Sequence, residues 1–410
     1  MKADYAVLQK AEAILAKYPL CNSCLGRQFA PRKDEQIELG EQIRKKIAVK
    51  EPERCYLCEG IIKDIDHTAK NVIEVLRGYK FKTFLVGASI PHSIIENEDT
   101  LRAEFKLKGG SSLKAEITSA IAKRIENVLK KKFGARNPDV VVVVNPIEKF
   151  QTVTPRSLFV TARYTKVKRG IPQKKQRCND CNGKGCPTCS WSGFADTPSV
   201  ESAVADYLVS MFGSRKVKFS WVGSEDDESL VLGNGRPFYA EIIEPKKRKV
   251  AAAKFQTRLK HGIELKGGKV LEERPLPEVS FELVAEANIE ASKPVKKADL
   301  RKIAKTFRNL DASQYSPNKM KFLTKRVFAL KAEQVSSKKF KATIWCEGGT
   351  NIKKLVQGNH LEFSPSISEV LGDSCNVNAK KPFDITSVKV VEKIVRKPQP
   401  IPAETIPAES

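Results

Sequence analysis

Residues 219–243 read FSWVGSEDDESLVLGNGRPFYAEII. β-Favouring runs predict strands at 216–222, 229–232 and 237–243, so the acidic cluster at 225–228 falls in the connection between two of them. Such a cluster is ordinarily a solvated turn, and adjacent carboxylates also attract hard cations such as Mg²⁺. Neither reading accounts for the GNGRPF that follows at 233–238. Glycines there permit close backbone approach, and Arg236 is a candidate for contacting a phosphate.

Working outward, the apolar periodicity predicts helices at 5–17, 35–48, 61–78, 112–133 and 199–213. The longest carries Leu113, Ile117, Ile121, Ile125 and Leu129 on one side and ends in Lys130, Lys131 and Lys132, whose charge complements the helix dipole. Strands are expected at 81–86, 101–107, 139–144 and 157–164, then at 278–287, 326–335, 339–346 and 384–393. The near-continuous apolar run Asp139–Val144 reads as buried on both faces. At roughly 100–200 residues per domain, 410 residues make two to four domains, and the mixture of elements is α+β. The Pro-rich KPQPIPAETIPAES at 397–410 reads as a disordered tail.

Cys178, Cys181, Cys186 and Cys189 stand as CxxC-x4-CxxC in CNDCNGKGCPTC. Each pair curls two thiolates toward one ion, and two pairs complete a tetrahedral four-sulfur zinc site. Cys21, Cys24, Cys55 and Cys58 form a second CxxC…CxxC set, whose wider spacing admits a helix or hairpin between the pairs. Two structural zinc ions are therefore expected. With all four positions taken by sulfur, neither site is catalytic. Cys346 and Cys375 are isolated and read as small buried hydrophobes. The four histidines lie at no metal-ligand or triad spacing.

The net charge is +25. Such an imbalance constrains partners rather than fold, and a nucleic acid is the commonest polyanion. Basic residues concentrate at 123–136, 163–177 and 246–269; the last two segments hold seven and nine, against a single acid, Glu264. Candidate RNA contacts are Lys130, Lys131 and Lys132 in the first, Arg163, Lys168 and Arg169 in the second, and Lys246, Lys247 and Arg248 in the third, with Arg236 beside them. The N-terminal stretch has charges inside its apolar run and lacks a signal-peptide core. No run approaches the length of a membrane span. A cytoplasmic location is expected, with no membrane partner.

Several stretches, in order, resemble the archaeal tRNA pseudouridine-54/55 synthases, which carry an N-terminal zinc and THUMP-type RNA-binding region. The similarity lies in YPLCNSCLGRQFA at 18–30, CYLCEG at 55–60, LKGGSSLKAEITSAIAKRI at 107–125 and FVTARYTKVKRGIPQ at 159–173. It continues in GSEDDESLVLGNGRPFYAEIIEPKKR at 223–248, EGGTNIKKLVQG at 347–358 and SPSISEVLG at 364–372. The resemblance implies an isomerase that converts uridine to pseudouridine in the T-arm of tRNA, at position 54, 55 or both. It implies no organic cofactor and no small-molecule cosubstrate. The family's catalytic aspartate corresponds to Asp226, and its isoleucine–basic pair to Ile352–Lys353. Lys353 is then the cation that keeps Asp226 ionised.

On this footing the chain divides into a zinc-binding segment at 1–79, a THUMP-like domain at 80–177, a zinc knuckle at 178–195, a catalytic domain at 196–396 and the tail. The catalytic core is expected to be a mixed, largely antiparallel sheet, with the switch between modules near 175–200. The sequence departs from the family at Ser224 and Leu230, where arginines are usual, and at Asn351, where tyrosine is usual. The substrate-stacking tyrosine has no secure counterpart, though Phe307 and Tyr315 lie nearby. These departures leave a second reading, a non-catalytic zinc-containing RNA-binding protein derived from the family. SGGxDS and NPPY motifs, marks of other THUMP-bearing tRNA modifiers, are absent.

Overall fold

The computed structural model describes residues 4–30, 33–108, 110–275 and 279–391. The tail expected at 397–410 lies outside them. The chain forms two compact units. Unit 1 is 1–157 with 212–215 and 243–248; unit 2 is 158–211, 216–242 and 249–410. The chain therefore passes from one to the other five times.

Unit 1 begins with helices α1 (Tyr5–Lys17), α2 (Asn22–Phe29), α3 (Lys33–Ile47) and α4 (Ile65–Leu76). It continues with β1 (Thr83–Ala88), α5 (His92–Glu104), α6 (Leu113–Leu129), β2 (Lys132–Phe133), β3 (Val140–Asn145) and β4 (Phe150–Pro155). The strands order as β2-β1-β3-β4, with β1 parallel to both neighbours and β4 antiparallel to β3. α2 and α3 touch backbone to backbone. A Cβ on Gly26 would lie 1.7 Å from the Gln36 carbonyl oxygen, and one on Gly40 would lie 2.0 Å from that of Asn22. Only glycine fits at either position.

Three expectations change here. The strand read at 101–107 is instead the end of α5. Its buried stripe is Ile94, Glu98 and Leu101, so a charged residue sits in the middle of the core-facing side and breaks the apolar period. β3 buries Val140, Val142 and Val144 but only half-buries the alternate residues, so one face is core and the other is partly covered. α6 also stops at Leu129: Lys130 takes a left-handed conformation and its N–H closes on the Glu126 carbonyl.

Unit 2 opens with β5 (Leu158–Lys166), followed by α7 (Val200–Phe212), β6 (Lys216–Trp221), β7 (Val231–Ile243), β8 (Thr257–Arg258) and β9 (Ile263–Leu271). Then come β10 (Ser280–Ala291), α8 (Lys297–Thr306), β11 (Leu310–Ser316), β12 (Lys321–Gln334), β13 (Lys339–Glu347) and α9 (Ile352–Gln357). The chain closes with β14 (Phe363–Ser364), α10 (Ile367–Leu371), β15 (Cys375–Val377) and β16 (Phe383–Val391). Along the main path the strands order as β14-β11-β12-β13-β10-β16-β7-β5-β9-β8. The sheet is mixed and largely antiparallel, with β16 and β7 parallel. β5 pairs with both β7 and β9, so this strand belongs to the large sheet. The division between units falls at 157/158, ahead of the 175–200 region expected from sequence. The two strands read at 229–232 and 237–243 are one strand. Tyr164 pairs with Arg236 and Lys166 with Val231, so residues 232–235 bulge out of the ladder and use the GNG stretch to do so.

Candidate active site

The EDDE cluster lies on the loop between β6 and β7, held from below by side chains of β5, β7 and the segment after β5. Gly223 starts the loop at φ +75°, and a Cβ there would lie 2.5 Å from both Arg236 Nη1 and Phe281 Cζ. Arg236 is fully buried. Its Nη1 donates to the Val222 carbonyl at 2.7 Å and its Nη2 to that of Ser224 at 3.0 Å. Its Nε stands 2.8 Å from Glu225 Oε2, in an ion pair from which solvent is excluded. Glu225 also accepts from the Tyr164 hydroxyl at 2.6 Å and from Gln173 Nε2 at 3.1 Å. Lys166, buried at the end of β5, donates to the carbonyls of Asp226 and Asp227 at 3.2 Å each and of Ile171 at 2.7 Å.

Asp226 is the loop's exception. Its side chain is 28% exposed, and Oδ2 is ion-paired to Lys353 Nζ. Oδ1 accepts the Glu228 N–H at 3.2 Å. Lys353 is in the first turn of α9, whose N-cap is Asn351; the Asn351 side chain accepts the Lys354 N–H at 3.0 Å. The Asn351 N–H donates in turn to Gln314 on β11 at 2.9 Å. Asn351 thus has a structural role in aiming Lys353. At the other end of the loop, the Leu230 N–H donates to Asp384 at 2.9 Å. Asp384 is held by both Nη atoms of Arg169 at 2.7 Å.

Burial works to raise the Asp226 carboxyl. The Lys353 hydrogen bond, the Glu228 N–H and the charges of Lys353 and Lys166 outweigh it and hold the group below the ordinary aspartate value. Burial pushes Tyr164 well up, with the Glu225 charge adding to it, so the hydroxyl stays a neutral donor. Burial lowers Lys166. The result is an ionised, partly exposed carboxylate on a loop whose backbone is bonded at 222, 223, 224, 226, 227 and 230. Such a group is suited to act as a nucleophile or a base rather than as an acid.

The arginines chosen as RNA contacts are engaged within the protein. Arg236 is spent inside the loop. Arg163 donates Nη1 to the carbonyls of Gly235 at 2.8 Å and Val388 at 2.9 Å. Arg169 is committed to Asp384 and to the Glu228 carbonyl. Arg248 pairs with Asp139 at 3.0 Å and donates to the Arg156 carbonyl at 2.6 Å. All four bind protein. The lysines differ: Lys130, Lys132, Lys168, Lys246 and Lys247 are exposed, while Lys131 is half-buried over the Phe81 ring. Phe307 is fully buried, so it has no face for a substrate. Tyr315 is half-buried, edge-on to Phe322 at 5.3 Å. The sequence reading missed Tyr164, Lys166, Gln173 and Glu225. A signal was present: Ala162, Tyr164 and Lys166 share one face of β5, and a lysine on a core-facing register needs internal acceptors.

Each cysteine set forms one cluster, with its four sulfurs within 4.8 Å of one another. Sulfur separations of 3.8 Å recur, between Cys21 and Cys58, Cys178 and Cys186, and Cys181 and Cys189. Four sulfurs about 2.3 Å from a tetrahedral metal stand roughly 3.8 Å apart, whereas a disulfide needs about 2.05 Å. Backbone N–H groups also point at sulfur, as from Gly185 to Cys181 at 3.2 Å and from Gly193 to Cys189 at 3.3 Å. Both groups fit a metal ion. In the first, Arg27 on α2 is fully buried, with Nη1 2.9 Å from Cys24 Sγ and 3.2 Å from Glu116. Its Nε lies 3.0 Å from Glu98.

Comparison with known proteins places the chain in a family. The family model "Pus10, C-terminal" matches residues 159–389, and "Pus10 THUMP domain, archaeal" matches 68–145. The curated tRNA pseudouridine synthase Pus10 of Nitrosopumilus maritimus is 32% identical over 386 residues, covering 94% of this chain and 98% of the relative. Its counterpart in Pyrococcus furiosus is 28% identical over 387 residues, covering 89% and 94%. That of Methanocaldococcus jannaschii is 29% identical over 416 residues, covering 88% and 91%. These matches make the chain an RNA pseudouridine synthase, an isomerase. Within that class the chain belongs to the Pus10 family of tRNA pseudouridine synthases. Among the described residues, no helix is long and apolar enough to cross a membrane.

Proposed function

We propose that this chain isomerises uridine to pseudouridine in the T-arm of tRNA, at position 54, 55 or both, with Asp226 as the catalytic carboxylate. The observation that carries the reading is the Lys353–Asp226 ion pair, formed across 127 residues of sequence at the one loop carboxylate that is both fixed and partly exposed. In the reaction the bond from N1 to the ribose breaks and one from C5 to the same carbon forms, with no atom gained or lost. The target uridine leaves its stack to reach Asp226. Asp226 then faces the electron-poor ribose carbon or removes a proton beside it. Lys353 keeps the carboxylate ionised, and Lys166, Arg236 and Glu225 hold the loop still. Exposed lysines at 130, 132, 168, 246 and 247 supply phosphate contacts, the segment before 157 serves tRNA binding, and each cysteine set holds a structural zinc. The enzyme works in the cytoplasm.

Unmodified tRNA transcript, incubated with the protein and mapped for pseudouridine, tests the reading. Asp226→Asn is expected to bind tRNA and form no pseudouridine; formation near the parent rate would remove Asp226 from the chemistry. Lys353→Ala takes away the hydrogen bond and charge that depress Asp226 but leaves its burial, so the carboxyl titrates higher. The acid limb of the rate profile then moves to higher pH.

A further inference from the structure

We propose that Trp191, carried on the second cysteine knuckle, is a stacking platform for an unpaired nucleobase of the tRNA. This rests on the reading of tRNA as the substrate.

The chain has three tryptophans. Trp221 stacks on Phe219, with ring centres 4.9 Å apart and planes 9° apart. Trp345 packs on Phe328 at 5.0 Å and donates Nε1 to Glu282 at 3.1 Å. Trp191 is 74% exposed, and among the described residues its indole has no ring, cation or hydrogen-bond partner. Its backbone, by contrast, is fixed. The Trp191 N–H donates to the Cys186 carbonyl at 2.9 Å, inside the sulfur cluster, at φ +60°. A bulky side chain enters that conformation only at a cost, and the indole's contacts within the chain do not offset it. The knuckle therefore holds a large flat ring out from its surface on a rigid stem.

The surroundings select the occupant. Phe194, 43% exposed, is bridged across the knuckle to Arg177. Arg177 and Lys184 are exposed on the knuckle and Lys174 just ahead of it in sequence, with Asp180 and Asp196 also exposed. Ser190 and Ser192 flank the tryptophan, so the apolar surface is a ring and not a broad patch of the kind a protein partner covers. A flat aromatic face on a knuckle that also presents Arg177 and Lys184 matches a base with its phosphates.

The test uses the full-length chain and one tRNA transcript, measuring tRNA affinity against salt, the single-turnover rate at saturating tRNA, and zinc content. Trp191→Ala is expected to weaken binding about tenfold. The salt slope, zinc content and saturated rate should not change, because stacking adds no phosphate contact. Trp191→Phe should recover most of the affinity. Unchanged affinity in Trp191→Ala, with the parent still forming pseudouridine, would overturn the platform and leave the enzyme reading intact. Loss of a zinc equivalent, or equal weakening by both substitutions, would also overturn it, by making the ring a structural part. A parent that binds no tRNA would overturn both readings.

Discussion

The first cysteine tetrad lies in a core, and the second lies on a surface. Cys21, Cys24, Cys55 and Cys58 are all buried, while Cys181 and Cys186 of the second set are partly open. Around the first, Arg27 ties Cys24 to Glu98 on α5 and Glu116 on α6. Glu98 also accepts the Leu113 N–H at 3.0 Å, at the start of α6. Around the second, the neighbours are backbone N–H groups of the same short loop, closed by the Arg177–Phe194 bridge. One sulfur geometry is thus used twice, once to organise helices far apart in sequence and once to stiffen a loop. A metal's contribution to a fold depends on what its ligands are attached to as well as on the ligands themselves.

Removing one ligand from each site should separate the two uses. Cys55→Ala is expected to have the largest effect, because structural zinc contributes roughly 10–16 kcal/mol of apparent energy in small modules. Amide hydrogen exchange should show loss of protection across α2, α5, α6 and β1. Retained protection there, with one metal equivalent gone, would erase the contrast. Arg27→Met comes next. It leaves Glu116 buried without its cation and Glu98 with Arg102 alone at 3.1 Å, and breaking a buried pair costs about 3–5 kcal/mol. Denaturant unfolding should show that loss with both metals still bound; a change below about 1 kcal/mol would mean that the helices hold together without the arginine. Cys186→Ala is expected to be smallest. One metal equivalent leaves, and the exchange change stays within 177–195. If β5 or β7 also lost protection, the knuckle would be a core element after all.

The contrast also marks what the sequence discloses. Cysteine spacing is local, so both tetrads could be read from it directly. Asp226 and Lys353 were legible only through resemblance, since no local pattern joins residues 127 apart. Charge counting does not foresee the internal bonds of Arg163, Arg169, Arg236 and Arg248, because composition records a charge but not whether a carbonyl or carboxylate already holds it. The planar guanidinium suits such buried, multidentate bonding, whereas five of the six candidate lysines are exposed. α5 was misread because Glu98, a network residue, occupies a core position. The bed of Tyr164, Lys166, Gln173 and Glu225 went unseen because its members are neutral or countercharged only once the loop folds onto β5.

The repeated passage of the chain between its units bears on how this molecule can be taken apart. Residues 212–215 and 243–248 are brief excursions from unit 2 into unit 1, where the Lys246 carbonyl accepts the Lys80 N–H at 2.7 Å. No single cut frees either unit whole. A fragment beginning at 158 carries two short segments away from the partners they pack with, and a fragment ending at 157 leaves those partners bare. Recombining halves from different relatives would require the two excursions to travel with the N-terminal half, as grafts into a foreign C-terminal one. The protein is modular in architecture but not in its thread.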